Sequence, residues 1–149
     1  MRKNEPNVIT SVKDGVVNTV EGTGEIAKAV IKSAAGTVEA ALKGAGKMGA
    51  EAVETISATA SSVIKNTAEV GGDLREEAVG LVEGAIRSAK SVGLSAEEAA
   101  SAAGTGALEA ASKVGSKAGE TVRDALTGTI AGVKVVLKKP FKSAAEILS

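Results

Sequence analysis

Large side chains that could fill a globular core are scarce in this sequence. Phe141 is the single aromatic residue among 149, and tryptophan and tyrosine are absent. The hydrophobic residues, 44% of the chain, are mostly alanine and valine. Because such small side chains bury little surface unless helix backbones approach closely, the composition favours an elongated element over a globule.

Several kinds of chemistry are excluded because the residues for them are missing. There is no cysteine for a disulfide, a thiolate metal site or a nucleophile, and no histidine for a general base or a metal ligand. Residues 44–49 match the pattern GxGxxG, but no strand precedes them, so a nucleotide-binding loop is not indicated. We expect a protein that is not an enzyme and that binds no cofactor, metal or small-molecule substrate.

Charge and hydropathy exclude two further classes of protein. The 18 basic and 18 acidic residues are mixed along the chain, whereas binding to nucleic acid requires a basic excess. No apolar run approaches the ~20 residues that a membrane-spanning helix needs. Residues 1–6 lack the apolar core of a secretory signal. We therefore expect a cytoplasmic location, peripheral to a membrane or granule surface.

The strongest pattern is an 11-residue spacing of large apolar side chains. It runs without insertion or deletion through thirteen units, from Ile9 to Phe141, and the position after each member is nearly always charged. Eleven residues complete three helical turns at about 3.67 residues per turn, so every unit returns to the same face of a helix. We call a set of positions that lie eleven residues apart a column. In the column that begins at Ile9 and ends at Phe141, the other apolar members are Ile9, Val20, Ile31, Leu42, Val53, Ile64, Ile86, Leu108 and Ile130.

Neighbouring columns widen this face into an apolar stripe opposite the charged residues. A β-strand is excluded because an odd repeat would turn successive units to opposite faces of a sheet. The sequence therefore predicts an all-α protein: one long amphipathic helix, or a set of helical hairpins, built of thirteen 11-residue repeats. The neighbouring columns contribute Val12, Val30, Ile56, Val63, Val70 and Leu81.

Three segments follow from the limits of the pattern: an N-terminal tail at residues 1–8, the helical repeats at residues 9–139, and a C-terminal capping or anchor segment at residues 140–149. Capping signals at residues 71–73 and 93–95, each followed by a suitably spaced glutamate, indicate possible breaks. A continuous helix that tolerates these residues is the alternative.

Glycine and the C-terminal lysines add two further expectations. Each glycine costs a helix roughly 1 kcal/mol relative to alanine, so we expect conditional folding that requires a lipid surface, a partner helix or drying. Lysines around the single aromatic residue form a candidate anchor to anionic headgroups, or else a basic helix end. The glycines of one column, expected to let helices pack closely, are Gly49, Gly71, Gly93, Gly104 and Gly115. The candidate anchor comprises Lys134, Lys138, Lys139, Phe141 and Lys142.

The repeats resemble those of the 11-residue amphipathic families, namely synucleins, perilipins and group 3 late embryogenesis abundant proteins. Residues 65–70, KNTAEV, resemble the KTKEGV unit of synucleins, and residues 14–17, DGVV, are similar to its EGVV stretch. In these families the repeat is disordered in water and becomes helical on lipid or on drying. The resemblance thus implies a conditional helix without catalytic activity.

Three functions are compatible with these patterns. The first is reversible coating of a membrane, vesicle, granule or lipid droplet, with the apolar stripe in the interface. The second is self-assembly into an Ala/Gly-packed bundle or filament, for which an 11-residue period predicts a right-handed supercoil. The third is protection against desiccation or other stress. The expected partners are a lipid surface or other copies of the chain, with a homo-oligomer if the protein is structured in water.

Overall fold

Helix accounts for most of the chain that the structure describes. The computed structural model describes residues 15–137, with side chains from residue 26 onwards. The all-α class predicted from the sequence is confirmed. The elements are α1 (Gly15–Ala45), α2 (Gly49–Glu69), α3 (Leu74–Ser88), a 3-10 turn (Lys90–Val92), α4 (Ala96–Val114), α5 (Ser116–Leu126), β1 (Thr129–Ile130) and β2 (Val133–Lys134).

The chain divides into two units, residues 1–30 and residues 31–149. In the first unit, the described residues form the N-terminal half of α1. The second unit holds the remainder of α1 and all later elements, and a single hydrophobic core lies within it.

Helices end at both segments that carry capping signals in the sequence. Between α2 and α3, the Asp73 carboxylate accepts a hydrogen bond from the Glu76 N–H at 3.1 Å. Before α4, the Ser95 hydroxyl accepts from the Glu98 N–H at 3.0 Å and the Glu98 carboxylate accepts from the Ser95 N–H at 2.9 Å. This reciprocal pair is a capping box, which satisfies two free N–H groups at the start of α4.

Two further helix ends were not expected from the sequence. At residues 46–48, Gly46 adopts φ +65° and Met48 precedes α2 without a side-chain cap. At Gly115, α4 passes directly into α5, again without a side-chain cap. Because neither junction has a capping side chain, no local pattern marked them.

Helix α4 is central to the unit formed by residues 31–149. It packs against α2, α3 and α5, and β2 also contacts it. Nearly every position between its first and last turns is buried, and all of these residues except Leu108 are small. Helices surrounding α4 can therefore approach its axis from several sides. The buried residues are Ala99, Ala100, Ser101, Ala102, Ala103, Gly104, Gly106, Ala107, Leu108, Ala110 and Ala111.

Glycine lies at the points where helix backbones come closest. A Cβ atom placed on Gly106 of α4 would lie 2.9 Å from Ser57 Oγ of α2 and 3.0 Å from the Ser57 carbonyl carbon. Gly84 of α3 similarly meets the backbone of Ala35 of α1, 2.5 Å from its carbonyl oxygen. Because backbone atoms are among the nearest neighbours at both positions, neither contact could accommodate a side chain without displacing a helix.

This packing corrects the expectation of an elongated element. The composition predicted that alanine and valine would bury too little surface for a globular core. Residues 31–137 nevertheless share one core, with Ile56, Ile64, Leu81 and Leu108 at most 1% exposed within it. The condition under which small side chains can form a core is met here, because glycine lets the helix backbones approach closely.

The prediction of helical repeats up to residue 139 is also wrong beyond α5. The helix ends at Leu126, and β1 and β2 pair antiparallel with Ile130 opposite Val133. The two residues between them, Ala131 and Gly132, adopt φ +52° and +81°. Two positive φ angles are what a tight two-residue hairpin turn requires, so local turn geometry overrides the helical spacing here.

We predict that Gly106→Ala destabilises the protein, whereas Gly36→Ala does not. A methyl group at Gly106 would overlap the backbone of α2, and overpacking of this kind costs about 1–3 kcal/mol or more. At Gly36 of α1 a Cβ would meet nothing within 4 Å, so alanine should stabilise the helix by roughly 0.5–1 kcal/mol. Urea unfolding followed by circular dichroism measures both. Equal effects of the two substitutions would contradict the close approach of α4 to α2.

Candidate functional site

The side chains of the predicted apolar stripe lie mainly in the core of the bundle. Five of them are buried, Leu42, Ile56, Ile64, Leu81 and Leu108, and Ile130 is buried in the hairpin. The structure thus turns most of the described stripe inward, toward other helices of the same chain. Half-buried members are Val30, Ile31, Val53, Val63 and Ile86. Ile9 and Val12 lie outside the described residues, as does the side chain of Val20.

Alanine is the commonest residue in this core. Of the 26 apolar residues buried in the described part of the chain, 14 are alanine and seven are leucine or isoleucine. Each alanine removes only one methyl group from water, and a buried carbon of this kind is worth about 0.8 kcal/mol. Burial of apolar surface therefore stabilises this core less than it would stabilise a core with the same number of leucine residues.

The five glycines expected to line a helix contact have different roles here. Gly49, Gly71 and Gly93 adopt φ between +56° and +76° at helix ends, where glycine avoids steric strain, and a Cβ at Gly115 would meet nothing within 4 Å. Gly104 alone of the five is closely packed: a Cβ there would lie 2.8 Å from Leu137 Cδ2. The close helix contacts use glycines of other columns, at positions 80, 84 and 106.

The candidate C-terminal anchor falls mostly outside the described residues. Lys134 is exposed in β2. The segment that follows β2 packs onto α4, where the Ser101 hydroxyl donates a hydrogen bond to the Val136 carbonyl oxygen at 2.8 Å. The anchor residues that lie outside the described part of the chain are Lys138, Lys139, Phe141 and Lys142.

Exposed apolar side chains of the second unit occur near the ends of helices. Met48 precedes α2, Val70 follows it, and Val114 is the last residue of α4, with exposed fractions of 58%, 82% and 51%. Val136, beyond β2, is 53% exposed. Successive members of this set are 22, 44 and 22 residues apart. Of these four described residues, three therefore lie next to a helix end and the fourth follows the hairpin.

A groove of about 570 Å³ lies between the C-terminal halves of α2 and α4. Its lining includes the apolar residues Ala68, Ala110 and Val114 and the two lysines Lys65 and Lys113. The volume is within the range of small-molecule sites in proteins. Ser61 and Glu69 complete the lining. The sequence did not indicate this groove, because it depends on α2 and α4 being neighbours, which no local pattern reveals.

One carboxyl group near the turn between α2 and α3 is electrostatically perturbed. Burial raises the pKa of Glu77 above its usual value. The hydrogen bond from the Thr67 side chain opposes that shift, and the negative charge of Asp73 adds to it. Thr67 is itself only 8% exposed. The first turn of α3 therefore holds a carboxyl group whose charged form is disfavoured by burial.

Neither a metal centre nor a membrane-spanning helix is found in the part of the chain that the structure describes. No three or more acidic residues there are arranged to hold a metal ion. Among the helices of residues 15–137, none combines the length and apolar content needed to cross a bilayer. No protein-family model, curated protein or solved structure matches the chain.

The raised pKa of Glu77 gives a pH-dependent prediction. Its contribution to stability is present below the usual glutamate pKa and is lost as pH rises through the raised value, since the folded state prefers the protonated form. We expect Glu77→Gln to increase the free energy of unfolding at neutral pH, and the increase to shrink as the pH falls through the raised pKa and to vanish below the usual glutamate pKa.

Urea unfolding across this pH range measures the effect. Glu54→Gln, which removes a carboxylate from an exposed face of α2, is the matched control for the loss of one negative charge. The interpretation would be wrong if both variants had the same stability profile.

Proposed function

We propose that this protein binds reversibly to a lipid surface, such as a membrane, vesicle, granule or lipid droplet, by opening its helical bundle. The observation that carries the proposal is that the bundle core contains much of the amphipathic stripe. In the closed bundle these side chains contact one another. In the open form the same side chains would enter the interface between lipid headgroups and acyl chains, with the charged face toward water.

The composition of the core supports such an exchange. Opening transfers apolar side chains from a protein interior to a lipid interface, so the hydrophobic cost of exposing them to water is largely avoided. What is lost is the close packing of alanine and glycine, which depends on many individually weak contacts. The sequence has no cysteine, so no disulfide holds the bundle closed.

The junctions between helices support it as well. Gly46, Gly71 and Gly93 occupy junctions with positive φ, and changes of backbone angle at these glycines would separate helices while leaving the hydrogen bonds within each helix intact. An amphipathic helix keeps its two faces when it leaves the bundle. Opening therefore requires no loss of helix.

Self-assembly is the second candidate function. Its specific support is the exposed apolar side chains at helix ends, Met48, Val70 and Val114, which a second copy of the chain could cover. In that case the stripe would stay buried in each copy. Sedimentation equilibrium distinguishes this possibility from a bundle that remains monomeric until lipid is added.

A covalent link between α1 and α3 tests whether the helical bundle must open to bind lipid. Arg87 of α3 lies 3.8 Å from the Glu39 carboxylate of α1, and both side chains are about half exposed, so replacing them costs little stability. Because the natural chain has no cysteine, Glu39→Cys/Arg87→Cys joined by a short bifunctional thiol reagent creates one defined link.

We predict that the unlinked double variant binds vesicles like the natural chain and that the linked form binds at least about tenfold more weakly, a difference of about 1.4 kcal/mol. Vesicle flotation measures binding, and circular dichroism shows whether the linked form remains folded. The same double variant with each thiol singly blocked is the control. Unchanged binding of the linked protein would rule out opening between α1 and α3, and absence of vesicle binding by the natural chain would rule out the lipid proposal itself.

A further inference from the structure

We propose that the groove between the C-terminal halves of α2 and α4 binds the anionic headgroups of phospholipids in a bilayer, and that it makes the first contact of the closed bundle with the membrane. This inference rests on the lipid-binding function proposed above. It adds a particular site and a particular lipid class, which the buried stripe does not specify.

The groove combines the two features that an anionic amphiphile requires. Lys65 of α2 and Lys113 of α4 line the groove and bring one cationic side chain from each helix, and Ala68 and Ala110 contribute apolar lining. Phosphate oxygens can be bound by the lysines, and the carbons next to them can lie against the alanines. Glu69 is the one carboxylate in the lining, so the cations are in excess.

Neither groove lysine is engaged in an ion pair with the described residues. Lys65 and Lys113 are both exposed and are absent from the pairs that the described side chains form. Their ammonium groups are therefore available to an external anion. Between described side chains, the ion pairs lie elsewhere, at Lys47–Glu51, Arg87–Glu39 and Arg87–Glu83.

Exposed valines close to the groove favour a bilayer as the source of the headgroup. Val114 belongs to the groove and is 51% exposed, and Val70, which follows α2 directly, is 82% exposed. Apolar side chains beside lysines match a membrane surface, where cations meet headgroups and apolar groups reach the acyl region. A free phosphate ion would leave both valines in water.

The test compares two double substitutions that remove the same charge. Lys65→Gln/Lys113→Gln changes the groove, and Lys43→Gln/Lys90→Gln removes two exposed lysines that do not line it. Each protein is titrated with vesicles of phosphatidylcholine alone and with vesicles containing phosphatidylserine, at low and at moderate salt. Urea unfolding of both variants checks that the fold is kept, because Lys113 also lies in the last turn of α4.

We expect the groove variant to bind phosphatidylserine vesicles about 30-fold more weakly, roughly fivefold for each lysine, with a reduced dependence on salt. The control variant should retain most of its affinity, and inorganic phosphate should not displace the protein from vesicles. Equal losses in the two variants would overturn the groove site, since net charge alone would then account for binding.

Two other outcomes have distinct meanings. Binding that is the same for neutral and anionic vesicles would overturn the headgroup site and leave the lipid-binding function intact, whereas no binding to either vesicle would overturn both. If the groove variant instead bound vesicles normally but lost self-association in sedimentation, the groove would be a contact between copies of the chain, and the headgroup proposal would be wrong.

Discussion

Contact between helix backbones, made possible by alanine and glycine, is the interaction on which the structure of residues 31–137 depends. Leu108 is the single large side chain on the buried surface of helix α4, so α2, α3 and α5 can all pack against it. Where Gly106 meets Ser57 and Gly84 meets Ala35, the absence of a Cβ atom sets the distance between the helices. A core of this kind gains much of its cohesion from dispersion over many close contacts and comparatively little from the burial of any one side chain.

The same constraint makes a lipid-induced opening energetically reasonable. A core rich in leucine would lose little in moving to lipid but would also be strongly held together in water. An alanine-rich core is held less strongly per residue, while its few large members, such as Leu81 and Leu108, can insert into an interface. In the proposed opening, the closed and open forms would bury the same side chains, and the equilibrium between them would depend on how much more tightly lipid binds the open form.

Local signals predicted part of this fold, and longer-range contacts account for the rest. Helix was predictable from the spacing of apolar residues, and the caps at Asp73 and Ser95 were readable because each has its glutamate three positions later. The hairpin after α5 was missed because its first turn residue, Ala131, adopts a positive φ that alanine rarely adopts, so the residue type does not indicate a turn. The prediction of which glycines form close helix contacts was wrong for most of the five. The periodicity identifies residues that share a face, but not which helix packs against that face. The groove with Lys65 and Lys113 depends on that same missing information.

The exposed apolar residues lie beside turns, and this position bears on which kind of surface the bundle can contact. A stripe on one uninterrupted helix can be covered only by something outside the helix. Once the chain reverses direction, the stripe covers itself, and the side chains at the reversals, Met48, Val70 and Val114, are left outside. Together with Val136, these residues are exposed apolar groups that the described part of the second unit can present to another surface. Because the glycine-containing turns lie beside them, contact at the turns acts where the backbone has the greatest freedom to rearrange. Surface recognition and opening would then be coupled by proximity alone, without a signal transmitted through the core.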